Sequence, residues 1–121
     1  YTAPDYKFDL TKANKVRMKV FVHSYNDYTT VADVAGDWIA VNQLQKQVAV
    51  KLQNSAAGGS AWETQTEIVK TNLTTDQWIE LEFDFSEVKD RKDYDKIVIQ
   101  FGAEGHAAPG IFFFDDFYFG E

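Results

Sequence analysis

The stretch Ile111-Phe112-Phe113-Phe114-Asp115-Asp116-Phe117-Tyr118-Phe119 decides the fold predicted for this sequence. Apart from two adjacent carboxylates it consists of aromatic and β-branched residues, which are typical of a β-strand. Strict alternation gives the face of Asp115 four apolar residues and the face of Asp116 three, so we expect Asp115 to point inward. An unpaired inward carboxylate would be costly, and we expect a cation or backbone N–H groups to meet its charge.

Upstream of this stretch, short apolar runs separated by Gly, Pro, Asn and Asp show the same two-residue period. The runs 15–23 and 77–85 alternate most cleanly, and such one-sided strands are typical of antiparallel sheets. We expect Phe83, Phe101 and Phe113 to be core residues. The prediction is an all-β fold, an antiparallel β-sandwich, with strands near residues 6–10, 15–23, 46–53, 63–70, 77–85, 95–102 and 111–119.

Length and composition narrow the possible functions. A chain of 121 residues forms one domain, and we expect a single β-sandwich over residues 1–121. The net charge of -7 and the lack of a basic run argue against a nucleic-acid partner. No apolar segment approaches the roughly 18 residues of a membrane-spanning helix. The absence of cysteine excludes disulfide bonds, thiol catalysis and cysteine zinc sites.

Six strand-like stretches occur in an order and at a spacing that resemble a known family. They are residues 8–11, 15–20, 48–52, 78–86, 94–99 and 113–117. Together they resemble the galactose-binding-like jelly-roll domains that serve as carbohydrate-binding modules in glycan-utilisation proteins of Bacteroidetes. The resemblance implies a jelly-roll type of sandwich. It also implies a non-catalytic module of a larger multidomain protein, secreted or on the bacterial outer cell surface.

The same resemblance implies a structural calcium ion. Members of the family hold calcium between the N-terminal segment and the first Asp of the closing motif, and that Asp matches Asp115 here. Calcium is therefore the implied cofactor, with Asp115 as a ligand. The upstream calcium ligands, and the one or two strands with which the family opens, have no visible counterpart before Tyr6.

Residues 29–47 are the exception to the strand pattern, and most of them lie in the longest connection between predicted strands. Apolar residues around Trp38 fall at helical spacing, but Gly36 interrupts them, so we expect a long ordered loop or a single helical turn rather than a full helix. If successive strands run antiparallel, the connections form two groups at opposite edges of the sandwich. The first group is residues 24–45, 71–76 and 103–110, and the second is residues 54–62 and 86–94.

Aromatic residues in these connections are the candidate carbohydrate-binding residues. Sugar rings stack their C–H faces on Trp and Tyr, while polar neighbours bind the hydroxyl groups. The topology brings Tyr25, Tyr28, Trp38 and His106 to one edge and leaves Trp62, the fifth candidate, at the other. Because the protein is acidic, we expect a neutral, β-glucan-like polysaccharide. The alternative is that Trp38 and Trp62 fill the ends of the core.

A second surface and a second function remain open from the sequence. If the aromatic loops do not bind, the next candidate is the sheet face around Arg17, Lys51 and Gln100. The predicted function is a carbohydrate-binding module that targets an attached enzyme or surface protein to a polysaccharide. The alternative is a structural spacer or protein-interaction domain of the same fold without glycan affinity.

Three carboxylates on one strand raise the question of catalysis. Glu80, Glu82 and Asp84 alternate along the strand, and such residues lie about 6.5–7 Å apart, within the range that glycosidases use. They lack the order of a known catalytic motif, and we interpret them as a solvated face that pairs with Lys and Arg on neighbouring strands. The sequence offers no nucleophile motif and no metal-ligand spacing for histidine, so we expect no enzyme.

Overall fold

The computed structural model describes residues 6–24, 46–102 and 112–121. Within these residues two 3-10 helical segments, Ser55–Thr64 and Ser86–Val88, interrupt a chain that otherwise forms strands and turns. No helix in the described part is long and apolar enough to cross a membrane. The strands are β1 (Lys15–Val22), β2 (Val48–Gln53), β3 (Thr66–Lys70), β4 (Trp78–Asp84), β5 (Lys96–Phe101) and β6 (Phe112–Gly120).

The six strands form two antiparallel sheets, with the orders β4-β1-β6 and β3-β2-β5. The all-β prediction is confirmed, and six of the seven predicted strands are present. The predicted strand at residues 6–10 is wrong. Phe8 donates one backbone hydrogen bond to Tyr94 (2.8 Å), and the chain then turns at residues 10–12, so no ladder develops.

One hydrophobic core lies between the two sheets, which gives the molecule a sandwich-like character. The inward face of β1 supplies alternate residues, as the sequence predicted, and Phe83 of β4 is fully buried. Phe101 packs against the core from β5 and is partly buried. The core includes Val16, Met18, Val20 and Val22 of β1, Val48, Val50 and Leu52 of β2, and Leu81 and Phe83 of β4.

A β-bulge in β6 overturns two predictions. Arg17 pairs with Tyr118 but Lys19 pairs with Asp115, so Met18 faces two residues of β6. Asp116 takes a left-handed conformation there, with φ 53°, which Asp tolerates better than most residues. The extra residue reverses the alternation, and Asp115 points to the outer face and is exposed. Asp115 is therefore not the inward carboxylate that the alternation predicted.

Phe113 is the second correction, because the bulge places it on the outer face as well. It pairs with Phe21 of β1, and its side chain is 52% exposed. On the inner face at this end of β6, Phe112 pairs with Val22 and packs against the core, whereas Phe114 pairs with Val20 and is 51% exposed. A bulge adds one unpaired residue to a strand, so a prediction of inward residues from strict alternation is reversed beyond that point.

The strand ends fall into the two groups that the antiparallel order predicted. At the end of the sandwich that we call the Val22 end, the segment between β3 and β4 joins both sheets. Its Leu73 N–H donates to Lys46 (3.1 Å) and its Asp76 N–H donates to Val22 (2.8 Å). Residues 25–45 and 103–111 leave the described strands at this same end. The opposite end, which we call the Lys15 end, carries Ser55–Thr64 and the N-terminal turn.

Candidate functional site

The outer face of the β4-β1-β6 sheet carries a row of three aromatic side chains at the Val22 end. Antiparallel register sets Trp78 opposite Phe21, and Phe21 opposite Phe113. The Phe21 ring lies 5.8 Å from the Trp78 ring and 6.1 Å from the Phe113 ring, each edge to face. Trp78 is 53% exposed, so this aromatic row presents a large apolar surface to solvent.

A charged row lies next to the aromatic row on the same face. Glu80, Lys19 and Asp115 face one another across the three strands, and the bulge brings Asp116 beside them. The Lys19 ammonium lies 3.1 Å from the Asp116 carboxylate, and this contact raises the pKa of Lys19. A cavity of about 560 Å³ opens between the two rows and is lined by Lys19, Trp78, Ile79, Glu80, Asp115 and Asp116.

A third row closes the face toward the Lys15 end. The Arg17 Nε donates to a Glu82 carboxylate oxygen (2.9 Å), and this bond raises the pKa of Arg17. The Arg17 guanidinium also lies 5.6 Å from the centre of the Tyr118 ring, and its Nη1 donates to the Glu121 carbonyl (2.8 Å). The predicted pairing of the acidic β4 face with cations of a neighbouring strand is confirmed for this pair.

The predicted aromatic platform lies almost wholly outside the described residues. Tyr25, Tyr28, Trp38 and His106 belong to residues 25–45 and 103–111, so their convergence stays a prediction. The aromatic row nevertheless lies at the Val22 end, where those segments leave the strands. Trp62 lies in Ser55–Thr64 at the Lys15 end and is 62% exposed. It does not fill the core, and it is separated from the aromatic row by the length of the sheet.

The alternative face around Arg17, Lys51 and Gln100 does not exist as one surface. Arg17 lies on the β4-β1-β6 sheet, whereas Lys51 and Gln100 lie on the other sheet. The Lys51 side chain is also buried, at 9% exposed, beside Glu67. This alternative is therefore wrong.

Metal binding at Asp115 has no support from neighbouring ligands. In the part of the chain that the structure describes, no three His, Cys, Asp or Glu side chains are grouped so as to hold a metal ion. Asp115 lies beside the Lys19 ammonium, and its Oδ1 accepts a hydrogen bond from the backbone N–H of Asp116 (2.7 Å). Calcium at Asp115 stays a prediction that would need ligands from outside those residues.

Sequence reasoning missed the aromatic row, although the sequence carries a signal for it. Phe21 occupies an outward position of an otherwise basic face, and Trp78 begins the acidic face of β4. Large aromatic residues at positions where alternation demands polar ones are the mark of a surface that packs or binds something. Phe113 carried no such signal, because only the bulge moves it outward.

Comparison of the chain with protein-family models, curated proteins and solved structures found no significant match. The resemblance to galactose-binding-like modules therefore stays a prediction, and the site must be interpreted from its own chemistry.

Proposed function

We propose that this domain uses the outer face of the β4-β1-β6 sheet to bind a neutral polysaccharide, that is, one without acidic groups. We also propose that the domain does not cleave this polysaccharide. The observation that carries the proposal is the half-exposed Trp78 beside a cavity lined by hydrogen-bonding groups. An indole ring provides a flat apolar surface for the C–H face of a sugar ring. Phe21 and Phe113 extend that surface across the sheet.

The charged row supplies the polar half of the recognition chemistry. The Lys19 ammonium donates hydrogen bonds, and the carboxylates of Glu80 and Asp115 accept them, so sugar hydroxyls next to Trp78 meet both kinds of partner. The cavity is lined by three carboxylates and one ammonium group. Its excess negative charge repels uronate and sulfate polymers, which favours a neutral, β-glucan-like polysaccharide.

One carboxylate of this face is unsuited to the role of a glycosidase general acid. A glycosidase needs a carboxylic acid whose pKa is raised, so that it can protonate the leaving group. Asp84, at the end of the acidic face of β4, has its pKa lowered by the backbone N–H of Ser86. The lowered pKa keeps the Asp84 carboxylate ionised, so this group suits the role of a hydrogen-bond acceptor and not that of a general acid.

The wider biological role in this proposal rests on the family resemblance. A jelly-roll module of a secreted or surface-exposed protein would deliver an attached enzyme or transporter to its polysaccharide. The two antiparallel sheets and the single core between them are compatible with that family.

Calorimetric titration of the domain with cellohexaose, laminarihexaose and mannohexaose tests the proposal. We expect Trp78→Ala to weaken binding of the oligosaccharide with the highest affinity by about 1–3 kcal/mol, as for other flat rings that stack on aromatic side chains. Trp62→Ala is the matched control, because it removes an indole of similar exposure (62% against 53%) at the Lys15 end. It should leave the affinity unchanged.

Each contrary result has a distinct meaning. Loss of affinity in Trp62→Ala but not in Trp78→Ala would move the site to the Lys15 end. Equal or stronger binding of a polyuronate would contradict the charge argument. Absence of binding across the panel would reject the proposed function.

The second candidate function is a spacer or protein-interaction domain without glycan affinity. One observation favours it: the charged groups on the outer face already pair with one another, as Arg17 does with Glu82 and Lys19 with Asp116. Ordinary solvated sheet faces show such pairs. The same titration separates the two candidates, because a spacer binds none of the oligosaccharides.

A further inference from the structure

A second cavity, of about 420 Å³, opens at the Lys15 end and carries charge of the opposite sign to that of the protein. It lies between the N-terminal turn and the turn that follows β4. Four of its lining residues are cations, namely Lys7, Lys89, Arg91 and Lys92, whereas Asp9 is its one carboxylate among the described residues. Such a concentration of positive charge is unexpected in a chain with a net charge of -7.

Two of the four cations are held in place by buried or bidentate partners. The Lys7 ammonium donates to the carboxylate of Asp95 (2.8 Å), which is only 1% exposed. The Arg91 Nε and Nη2 donate to the two carboxylate oxygens of Asp93 (2.8 and 2.7 Å), and its guanidinium lies 4.3 Å from the Tyr94 ring centre. These cations are therefore positioned in advance, which lowers the entropic cost of binding a ligand.

The other two cations have no acidic partner of their own. Lys89 and Lys92 are exposed and form no ion pair with any residue that the structure describes. Asp9 does not serve them, because its carboxylate already accepts from the Thr11 N–H (3.1 Å) and hydroxyl (2.5 Å) and lies 3.6 Å from Lys12.

We infer that this cavity binds a tetrahedral oxyanion, that is, a sulfate or phosphate group. The two unpaired ammonium groups match the charge of a dianion, and hydrogen bonds between cations and oxyanions are among the strongest in proteins. Lys7 and Arg91 line the same cavity, but Asp95 and Asp93 balance their charges, so the dianion depends chiefly on Lys89 and Lys92. The inference does not depend on the proposed glycan function, because the aromatic row lies at the opposite end of the sheet.

Two-dimensional NMR titration of the ¹⁵N-labelled domain with inorganic sulfate and inorganic phosphate, at constant ionic strength, tests the inference. We expect saturable shifts of the amides around Thr11 and at residues 89–92. The dissociation constant should be about 1 mM, which two or three charge-assisted hydrogen bonds supply. The double variant Lys89→Gln, Lys92→Gln should bind about tenfold more weakly or worse.

The control is the double variant Lys70→Gln, Lys96→Gln, which removes the same charge from strands outside the cavity. Unchanged affinity in this control, with loss in the first variant, supports a specific site. Shifts that fail to saturate, or equal weakening in both variants, would overturn the inference. A sulfated disaccharide that binds more tightly than inorganic sulfate would identify a sulfated polymer as the source of the group, and equal binding would identify the free ion.

Discussion

The two sheets differ in the burial of the outward side chains on their central strands, which are buried on β2 and partly exposed on β1. On β2, the outward side chains of Ala49, Lys51 and Gln53 are buried, and Lys51 lies 3.4 Å from Glu67. On β1, the outward Lys19 is half exposed beside the cavity of the charged row. The same strand position thus serves structure in one sheet and leaves groups accessible to a ligand in the other.

This contrast extends to the strand that borders β2. Asp95, immediately before β5, is a buried carboxylate that accepts from Lys7 and from the N–H and hydroxyl of Ser55, each within 2.8 Å. A buried charge stabilises the fold only while all its partners are present, because removal of one partner leaves an unpaired charge in the interior. Exposed pairs contribute little, because water competes for them.

The largest expected effect tests which face of the β4-β1-β6 sheet is inside. Phe83→Ala should lower the free energy of unfolding by about 3–5 kcal/mol, because it empties a fully buried position. Phe113→Ala should cost less than about 1 kcal/mol, because its ring is half exposed on the outer face. Urea denaturation measures both. Equal losses would show that the outer face is packed against something.

The next effect compares the two lysines directly. Lys51→Glu should destabilise the fold by about 3 kcal/mol, because it buries a carboxylate beside Glu67. Lys19→Glu makes the same charge change on the exposed face, beside Glu80 and Asp115, and should cost clearly less than Lys51→Glu because water screens exposed charges. Urea denaturation of the two variants under the same conditions measures the loss in the free energy of unfolding for each. Similar losses would remove the distinction between the sheets.

The third effect is a pH dependence that originates at Asp95. Burial by itself would raise the pKa of Asp95, but the Lys7 ammonium and the two donors of Ser55 lower it to about 2. A lowered pKa stabilises the fold above the ordinary value near 3.8 and loses that contribution as the pH falls through about 2. The contribution is about 2 kcal/mol. It should appear as a loss of stability from pH 5 toward pH 2 that is smaller in Asp95→Asn. If the stability of Asp95→Asn depended on pH as that of the unmodified protein does, Asp95 would not be the origin of the loss.

The smallest effect concerns the exposed face alone. Glu82→Gln breaks the ion pair with Arg17, which is only partly buried, and should cost about 0.2–1 kcal/mol. The cost should shrink at high salt, because salt screens exposed charges. Chemical denaturation at low and high salt measures both. A cost above about 2 kcal/mol at either salt would mean that this face is not solvated as described.

Much of the fold could be predicted from the sequence because alternation reports directly on burial. The clean period of β1 and β4 gave their inward faces, including Phe83. The register of β6 could not be predicted, because a bulge depends on one residue, Asp116, adopting a left-handed conformation against its neighbours. That single residue decided the orientation of Asp115 and Phe113.

The candidate surface on the strands was not among the predictions, and most of the predicted loop site lies outside the described residues. Composition directed attention to aromatic residues in loops, whereas the described surface is built on strands by Phe21 and Trp78. Strand pairing, which the sequence does not state, is what sets these two rings side by side. Burial of Lys51 was also invisible, because a lysine that alternates with apolar residues is expected on a solvated face.

The bulge at Asp116 also bears on the pairing of β6 with a second copy of the protein. Among the described residues β6 lies at the edge of its sheet and exposes Phe113, Phe114, Phe117 and Tyr118. A flat aromatic edge strand is a template for pairing with a second molecule, and from there for aggregation. The bulge breaks the regular spacing of backbone donors and acceptors near the middle of β6. In an antiparallel pair of β6 strands, the Asp115 and Asp116 carboxylates of the two copies would also lie close together and repel each other. We therefore expect the bulge that reversed the predicted faces of β6 also to oppose edge-to-edge association of this strand.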